Sequence, residues 1–286
     1  QYGTEQLAGA GELDAAREHH LRWCLATADE LADSADGAAP ATGEWRAGFD
    51  AAADDLRVAL SWASERPDRR ADAHRLALAL AQMAFIRNLV GESQQRYEQA
   101  AALAGDPAGA AAALRCAANV AACRMRGDDA YRLWQAAADV GRHAGDSAGQ
   151  ARDLATAATA YFRKAGTFAE LPPADDATAL LDRARDLAGD DLAARAAVAL
   201  ADCAAQGYAF FAHRGEPGGA APDMTALAER AVELAHRLDD PLAECAALWA
   251  LTGAQRRVGD TFAAAATSGR RVDLLDSVPV SPDVAD

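Results

Sequence analysis

Four groups of residues have types and spacings that could do chemistry. The run Asp239-Asp240-Pro241-Leu242-Ala243-Glu244 sets two carboxylates one helical turn before a third, a spacing at which acids can share a hard cation. The same residues also spell a helix start: Asp240 as the cap, Pro241 at the first helical position, and acids at the positive end of the helix dipole. Asp106-Pro107 repeats that grammar without a third acid, so a cap is expected here and no metal, and an all-α metal-dependent synthase is set aside. His19 and His20 are adjacent, about 100° apart on a helix, whereas helical metal-ligand pairs prefer i,i+4. His143, His213 and His236 stand alone near expected helix ends, where a cation or a capping donor is the ordinary role. The five cysteines, Cys24, Cys116, Cys123, Cys203 and Cys245, are odd in number and lack CxxC spacing, so they read as small buried residues in a reducing compartment.

The fourth group is cationic. Arg124, Arg163 and Arg256 each lie three residues before a turn glycine, at Gly127, Gly166 and Gly259. Arginine grips carboxylate or phosphate through paired donors, so these three are candidates for an anion site. An arginine near a helix C-terminus also complements the dipole and caps carbonyls, for about 0.3–1 kcal/mol. Ala212 stands at the corresponding place of the remaining hairpin and breaks the series. Trp249 adjoins Leu248, which fills a core position, and is expected to face the inside of the superhelix as a further partner-binding residue. No catalytic residue and no cofactor site emerges. A phosphate loop needs Gly-x-x-x-x-Gly-Lys-Ser/Thr, yet the one lysine, Lys164, sits between Arg163 and Ala165.

The elements that must position these residues follow from a recurring junction. Leu103-Ala104-Gly105-Asp106, Ala144-Gly145-Asp146, Leu187-Ala188-Gly189-Asp190 and Leu238-Asp239-Asp240 each close one Ala/Leu-rich stretch and open the next. Glycine takes the left-handed backbone that ends a helix, and aspartate caps the next one. The aspartates fall 40, 44 and 50 residues apart, room for two ordinary helices each, which is the mark of stacked helical hairpins. Roughly a quarter of the residues are alanine and only 6% are aromatic, so helices must approach closely.

Along the chain, periodicity predicts helices over about 13–31, 44–65 and 70–89, then hairpins over about 107–126 with 129–144, 147–165 with 174–188, 191–213 with 223–238, and 241–258 with 261–275. Asn88 or Gly91 makes the turn after the third helix, while Ser34 to Gly43, Phe168 to Pro173 and Gly215 to Pro222 read as loops. The division expected is residues 1–66 as an N-terminal helical segment, 67–276 as repeats and 277–286 as a linker. Trp62 should pack between the long first helix and the first hairpin. The net charge of −15 argues against direct nucleic-acid binding. With no long apolar run and no charged-then-apolar leader, a cytoplasmic protein without membrane contact is expected.

The Gly-Asp hairpins resemble degenerate tetratricopeptide repeats: Tyr97 and Ala100 sit where the second helix of such a repeat carries an aromatic and a small residue, and Phe162 fits the aromatic near the end of the first. The first 65 residues are similar to a junction in large actinobacterial regulators, through Tyr2, Glu5, Leu7, Gly11-Glu12, Arg17, His19-His20, Phe49 and Asp54-Asp55-Leu56-Arg57-Val58-Ala59-Leu60-Ser61-Trp62-Ala63. Those regulators carry an NB-ARC-like (STAND-type) ATPase, a winged helix and tetratricopeptide-like repeats, often with a LuxR-type or SARP-type DNA-binding domain. The family's usual Asp-Asn-Leu-Arg-Ala-Ala-Leu has Asp55 and Val58 in place of the Asn and first Ala here.

The resemblance implies a right-handed α-solenoid whose first helices line a concave surface, and a sensory or autoregulatory role in transcription. The ATPase and DNA-binding parts would lie outside this chain. The partners implied are a protein or peptide, or an anionic small ligand, met by Arg124, Arg163, Arg256 and Trp249. The alternative is a free-standing tetratricopeptide-like adaptor that binds a partner peptide.

Overall fold

The computed structural model describes residues 2–35, 42–212 and 224–275. The middle of the loop expected at Ser34 to Gly43, the insertion Gly215 to Pro222 with His213, the side chain of Ala212 and the segment 277–286 lie outside the described residues. Among the described residues there are thirteen α-helices and no strand. In chain order they are α1 (Tyr2–Ala10), α2 (Leu13–Ala35), α3 (Gly43–Ser64), α4 (Arg70–Ile86), α5 (Val90–Leu103), α6 (Pro107–Cys123), α7 (Gly127–Ala144), α8 (Ser147–Lys164), α9 (Ala174–Ala188), α10 (Leu192–Ala212), α11 (Met224–Leu238), α12 (Pro241–Arg257) and α13 (Thr261–Leu275). The fold is all-α, built of successive helical hairpins in the manner of an α-solenoid. None of the described helices is long and apolar enough to cross a membrane.

The junctions show how the chain stops and restarts. Asp106, Asp146 and Asp240 accept hydrogen bonds from the backbone N–H groups of Gly109 (2.9 Å), Gly149 (2.8 Å) and Leu242 (2.9 Å), satisfying donors that a helix start leaves open. At the third junction the cap is Asp191, bound by the Ala194 N–H at 2.8 Å, and not Asp190. The cause is Gly189, whose backbone (φ 51°, ψ −132°) departs from the left-handed helical turn that Gly145 makes (φ 75°, ψ 14°), so the next helix starts one residue later. Asn88 (φ 65°), and not Gly91, makes the turn between α4 and α5.

The chain divides into two compact units, residues 1–117 and 118–286. In the first, α2 to α5 enclose one core containing Leu21, Phe49, Leu56, Leu60, Leu76, Leu80 and Leu103, so α4 and α5, expected among the repeats, share their interior with α2 and α3. Trp45 stacks on Phe49 and donates its indole N–H to the Leu31 carbonyl at 2.9 Å. Trp62 is half-buried against the same core, with the Arg66 guanidinium 4.6 Å above its ring.

The second unit is built on small residues. Its α10–α12 core is Ala196, Ala199, Cys203, Ala228, Ala231, Leu234, Ala235, Ala247, Leu251 and Ala254. With so little side-chain bulk, α8 packs closely on α7, α9 and α10, while α11 fits between α10 and α12. An aromatic cluster of Tyr131, Tyr161, Phe162, Phe168 and Tyr208, with ring centroids 5.2–6.1 Å apart, supplies the bulk that alanine lacks. It also fastens the long connection after α8. The Tyr161 hydroxyl donates to the Pro172 carbonyl at 2.8 Å, the Ala169 N–H donates to Asp128 at 2.9 Å, and Phe168 and Thr167 rest on Gly127.

Candidate functional site

The first helices of the second unit present one continuous stripe each toward a cleft. From α8 come Arg152, Thr156, Thr159 and Arg163, and from α10 come Ala193, Ala197, Leu200, Ala204 and Gly207. From α12 come Leu242, Ala246, Trp249, Gly253 and Arg257, all at the three- and four-residue steps that keep side chains on one helix face. The widest chamber measures about 390 Å³ and is also lined by Asn119, Ala122, Trp134 and Asp240 and, from α11, by Ala231, Ala235 and Leu238. Two smaller sections adjoin it, of about 170 Å³ beside Arg163 and Lys164 and about 180 Å³ around Trp249. Leu200 lines all three.

Two of the four residues singled out from sequence meet here. The Arg163 guanidinium stands 4.0 Å from the centre of the Trp249 indole, a cation–π contact between α8 and α12, and Trp249 remains 43% exposed. The other two are elsewhere: Arg124 is half-buried and Arg256 exposed, and neither lines these three cleft sections. Of the expected ladder of Arg124, Arg163 and Arg256, Arg163 alone lines these three sections. The arginine of α12 that enters the cleft is Arg257. Its nitrogens lie 3.5 and 3.6 Å from where a Cβ would stand on Gly207 and Gly253, and its guanidinium carbon is 6.0 Å from the centre of the Phe210 ring. The signal that finds it is the spacing Trp249, Gly253, Arg257, which keeps one helix face. Counting back from the turn glycine does not, because successive turns are not superimposable: Met125 takes the left-handed backbone before Gly127, whereas Gly259 takes it itself.

The other candidates are spent on structure. Asp240 caps α12, and the Glu244 carboxylate receives Arg270 at 3.0 Å and lies 3.0 Å from His236, tying α11, α12 and α13 together. The His143 ring nitrogen Nδ1 lies 2.7 Å from the Asp139 carbonyl of its own helix. His20 lies 3.3 Å from Asp55 and 3.6 Å from the Cys24 sulfur. Among the described residues no three His, Cys, Asp or Glu side chains gather in a metal-binding group. Burial pushes the Cys24 thiol up to about 11 and the Cys203 thiol, in the cleft wall, up to about 12. Both stay protonated near neutrality and are poor nucleophiles.

The cleft thus sets cations and an indole among small apolar side chains. No known family model matches the sequence, and no curated protein matches it. The crystal structure of BtubC (BKLC) from P. vanneervenii aligns with 79% of this chain and 89% of that one, at 17% identity and a TM-score of 0.47, a likeness too loose to bear on function.

Proposed function

We propose that this chain is the sensory or autoregulatory repeat region of a cytoplasmic bacterial transcription regulator, and that it works by binding rather than by catalysis. The observation that carries this reading is the cleft of the second unit, to which successive first helices each contribute a continuous face. A protein segment or small ligand seated there would bridge α8, α10 and α12 and favour one arrangement of the hairpins. A ligand shifts a conformational equilibrium only by its differential affinity for the two states, and a site shared by several hairpins supplies that difference. The regulatory output would belong to ATPase and DNA-binding parts outside this chain, as the resemblance of residues 1–65 implies. Among the described residues the titratable groups of the lining are arginines, Lys164, Tyr208, the protonated Cys203 and an Asp240 already engaged in capping.

The test is to fill the cleft. Ala197 is half-buried in the chamber wall, and Ala197→Trp in the chromosomal gene should leave helicity intact while locking the transcript profile of the cell in one state. A folded Ala197→Trp protein with an unchanged transcript profile would contradict the proposal.

A further inference from the structure

The proposed function leaves the first unit a supporting role, yet that unit has a pocket of its own. It measures about 280 Å³ and lies where the start of α2 runs beside the end of α3, lined by Arg17 and His20 from the one and by Val58, Trp62 and Glu65 from the other. The four- and three-residue steps from Val58 to Glu65 keep these side chains on one face of α3. Trp62 supplies the first observation. Its ring packs on the core beneath the Arg66 guanidinium, 4.6 Å away, while its indole N–H is buried and meets no acceptor among the described residues. Trp45, on the same helix, donates to the Leu31 carbonyl. A buried donor without an acceptor is costly and rare in a folded protein, so the Trp62 N–H marks a place for an acceptor that the chain itself does not supply.

The charges around the pocket form the second observation, because they sort into pairs and leave two over. Asp14 binds Arg66 at 2.8 Å, Glu18 binds Arg69 at 2.7 Å, and His20 lies 3.3 Å from Asp55 with its ring stacked against Trp23. Arg17 and Glu65 both line the pocket, and among the described residues their side chains take part in no hydrogen bond or ion pair, not even with each other. One unpaired charge on a surface is ordinary. Two of opposite sign around one pocket with an orphaned donor form a set. Arg17 and the Trp62 N–H together suit a carboxylate, whose two oxygens can accept from both. Glu65 follows the last residue of α3, where the terminal carbonyls carry partial negative charge, so the acid and the helix end both favour a cation. Ser61 adds an exposed hydroxyl, while Val58 and Ala59 give an apolar wall. An inorganic anion would face Glu65 unmatched, and a simple amine would face Arg17 unmatched.

We infer that the pocket between α2 and α3 binds a free α-amino acid with a small apolar side chain. Its carboxylate sits at Arg17 and the Trp62 N–H, its ammonium at Glu65, and its side chain against Val58 and Ala59. The volume falls just under the roughly 300–1,000 Å³ of drug-sized sites, which suits an occupant of this size. The site is separate from the cleft of the second unit and stands or falls without it.

Nuclear magnetic resonance of the nitrogen-15-labelled chain tests it, with L-leucine as the probe. Leucinamide, which lacks the carboxylate, and N-acetylleucine, which lacks the ammonium, serve as the matched analogues. The five tryptophans give five indole N–H signals, and Trp62→Phe, which keeps a ring in place, identifies the signal of Trp62. That signal should shift saturably with leucine, and leucine should bind at least about ten-fold more tightly than either analogue, the margin expected for one charge-assisted contact. Arg17→Gln should bring leucine to the affinity of leucinamide, and Glu65→Gln should bring it to that of N-acetylleucine. Arg17 is half-buried and Glu65 exposed, so both variants should keep the other four indole signals where they are. Equal binding of the three compounds, or leucine binding unaffected by both changes, overturns the inference. Saturable binding that leaves the Trp62 signal in place puts the amino acid elsewhere and overturns it too. N-acetylleucine binding as tightly as leucine replaces the zwitterion with a simple carboxylate and overturns the role of Glu65. No saturable leucine binding at all leaves the Trp62 N–H to water and overturns the site.

Discussion

The two units solve the same packing problem with different side chains. In residues 1–117 large apolar residues meet in one core, and long charged pairs clamp helix to helix: Arg57 to Glu92 through two bonds of 2.7 Å, Arg87 to Asp50 at 2.9 and 3.0 Å, Arg69 to Glu18 at 2.7 Å. In residues 118–286 alanine dominates, and several pairs stay within one helix turn, as Arg126–Asp129 and Arg142–Asp139 do. Filling the space between helices leaves the first unit a pocket of about 280 Å³ between α2 and α3, walled by Arg17, His20, Val58 and Trp62. Leaving it half-filled produces the clefts of the second, where residues such as Trp249 remain accessible. In the proposed function the first unit is structural support and the second the surface that meets other molecules.

Breaking the closed core should have the largest effect. Phe49 is 1% exposed, and Phe49→Ala should cost about 3–5 kcal/mol in chemical denaturation of the chain. Trp62→Ala should cost less, about 2 kcal/mol, because Trp62 is only half-buried and part of its contact is with the Arg66 side chain. No change in stability would mean that Trp62 is not part of the core.

In the second unit the sensitive point is a contact that needs the absence of a side chain. A Cβ on Gly127 would stand 2.5 Å from the Thr167 hydroxyl, and closer still to the Phe168 ring. Gly127→Ala should therefore displace the 165–173 connection and cost about 1–3 kcal/mol, visible as loss of protection from hydrogen exchange at Ala169. The smallest effect is electrostatic. Hydrogen bonds from Arg57 hold the Glu92 carboxyl below its usual value of 4.5. A lowered folded-state value means stabilisation that is complete above pH 4.5 and lost as the pH falls below it. Glu92→Gln should remove about 1–2 kcal/mol at neutral pH and flatten the acid limb of the stability profile.

Much of this comparison is legible in the sequence, because helix boundaries depend on local grammar. The helices 174–188 and 261–275 begin and end where periodicity and caps place them, and Asp106, Asp146 and Asp240 cap as their junctions predict. What escapes is set by turns. The cap at Asp191 follows from the backbone of Gly189, and the entry of Arg257 into the cleft depends on the phase in which α12 leaves its core. The anchoring of Phe168 on Gly127 joins residues 41 apart that carry no shared periodicity. Trp249 was legible because a tryptophan beside a core leucine must point off the core axis.

The central claim, that the second unit carries the ligand face, is tested most directly by comparing the transcript profiles of cells whose chromosomal gene carries Ala197→Trp in the chamber wall or Ala51→Trp on the exposed face of α3. The account predicts a locked profile for Ala197→Trp and the wild-type profile for Ala51→Trp. A wild-type profile for a folded Ala197→Trp protein, or the same locked profile for both, would contradict it.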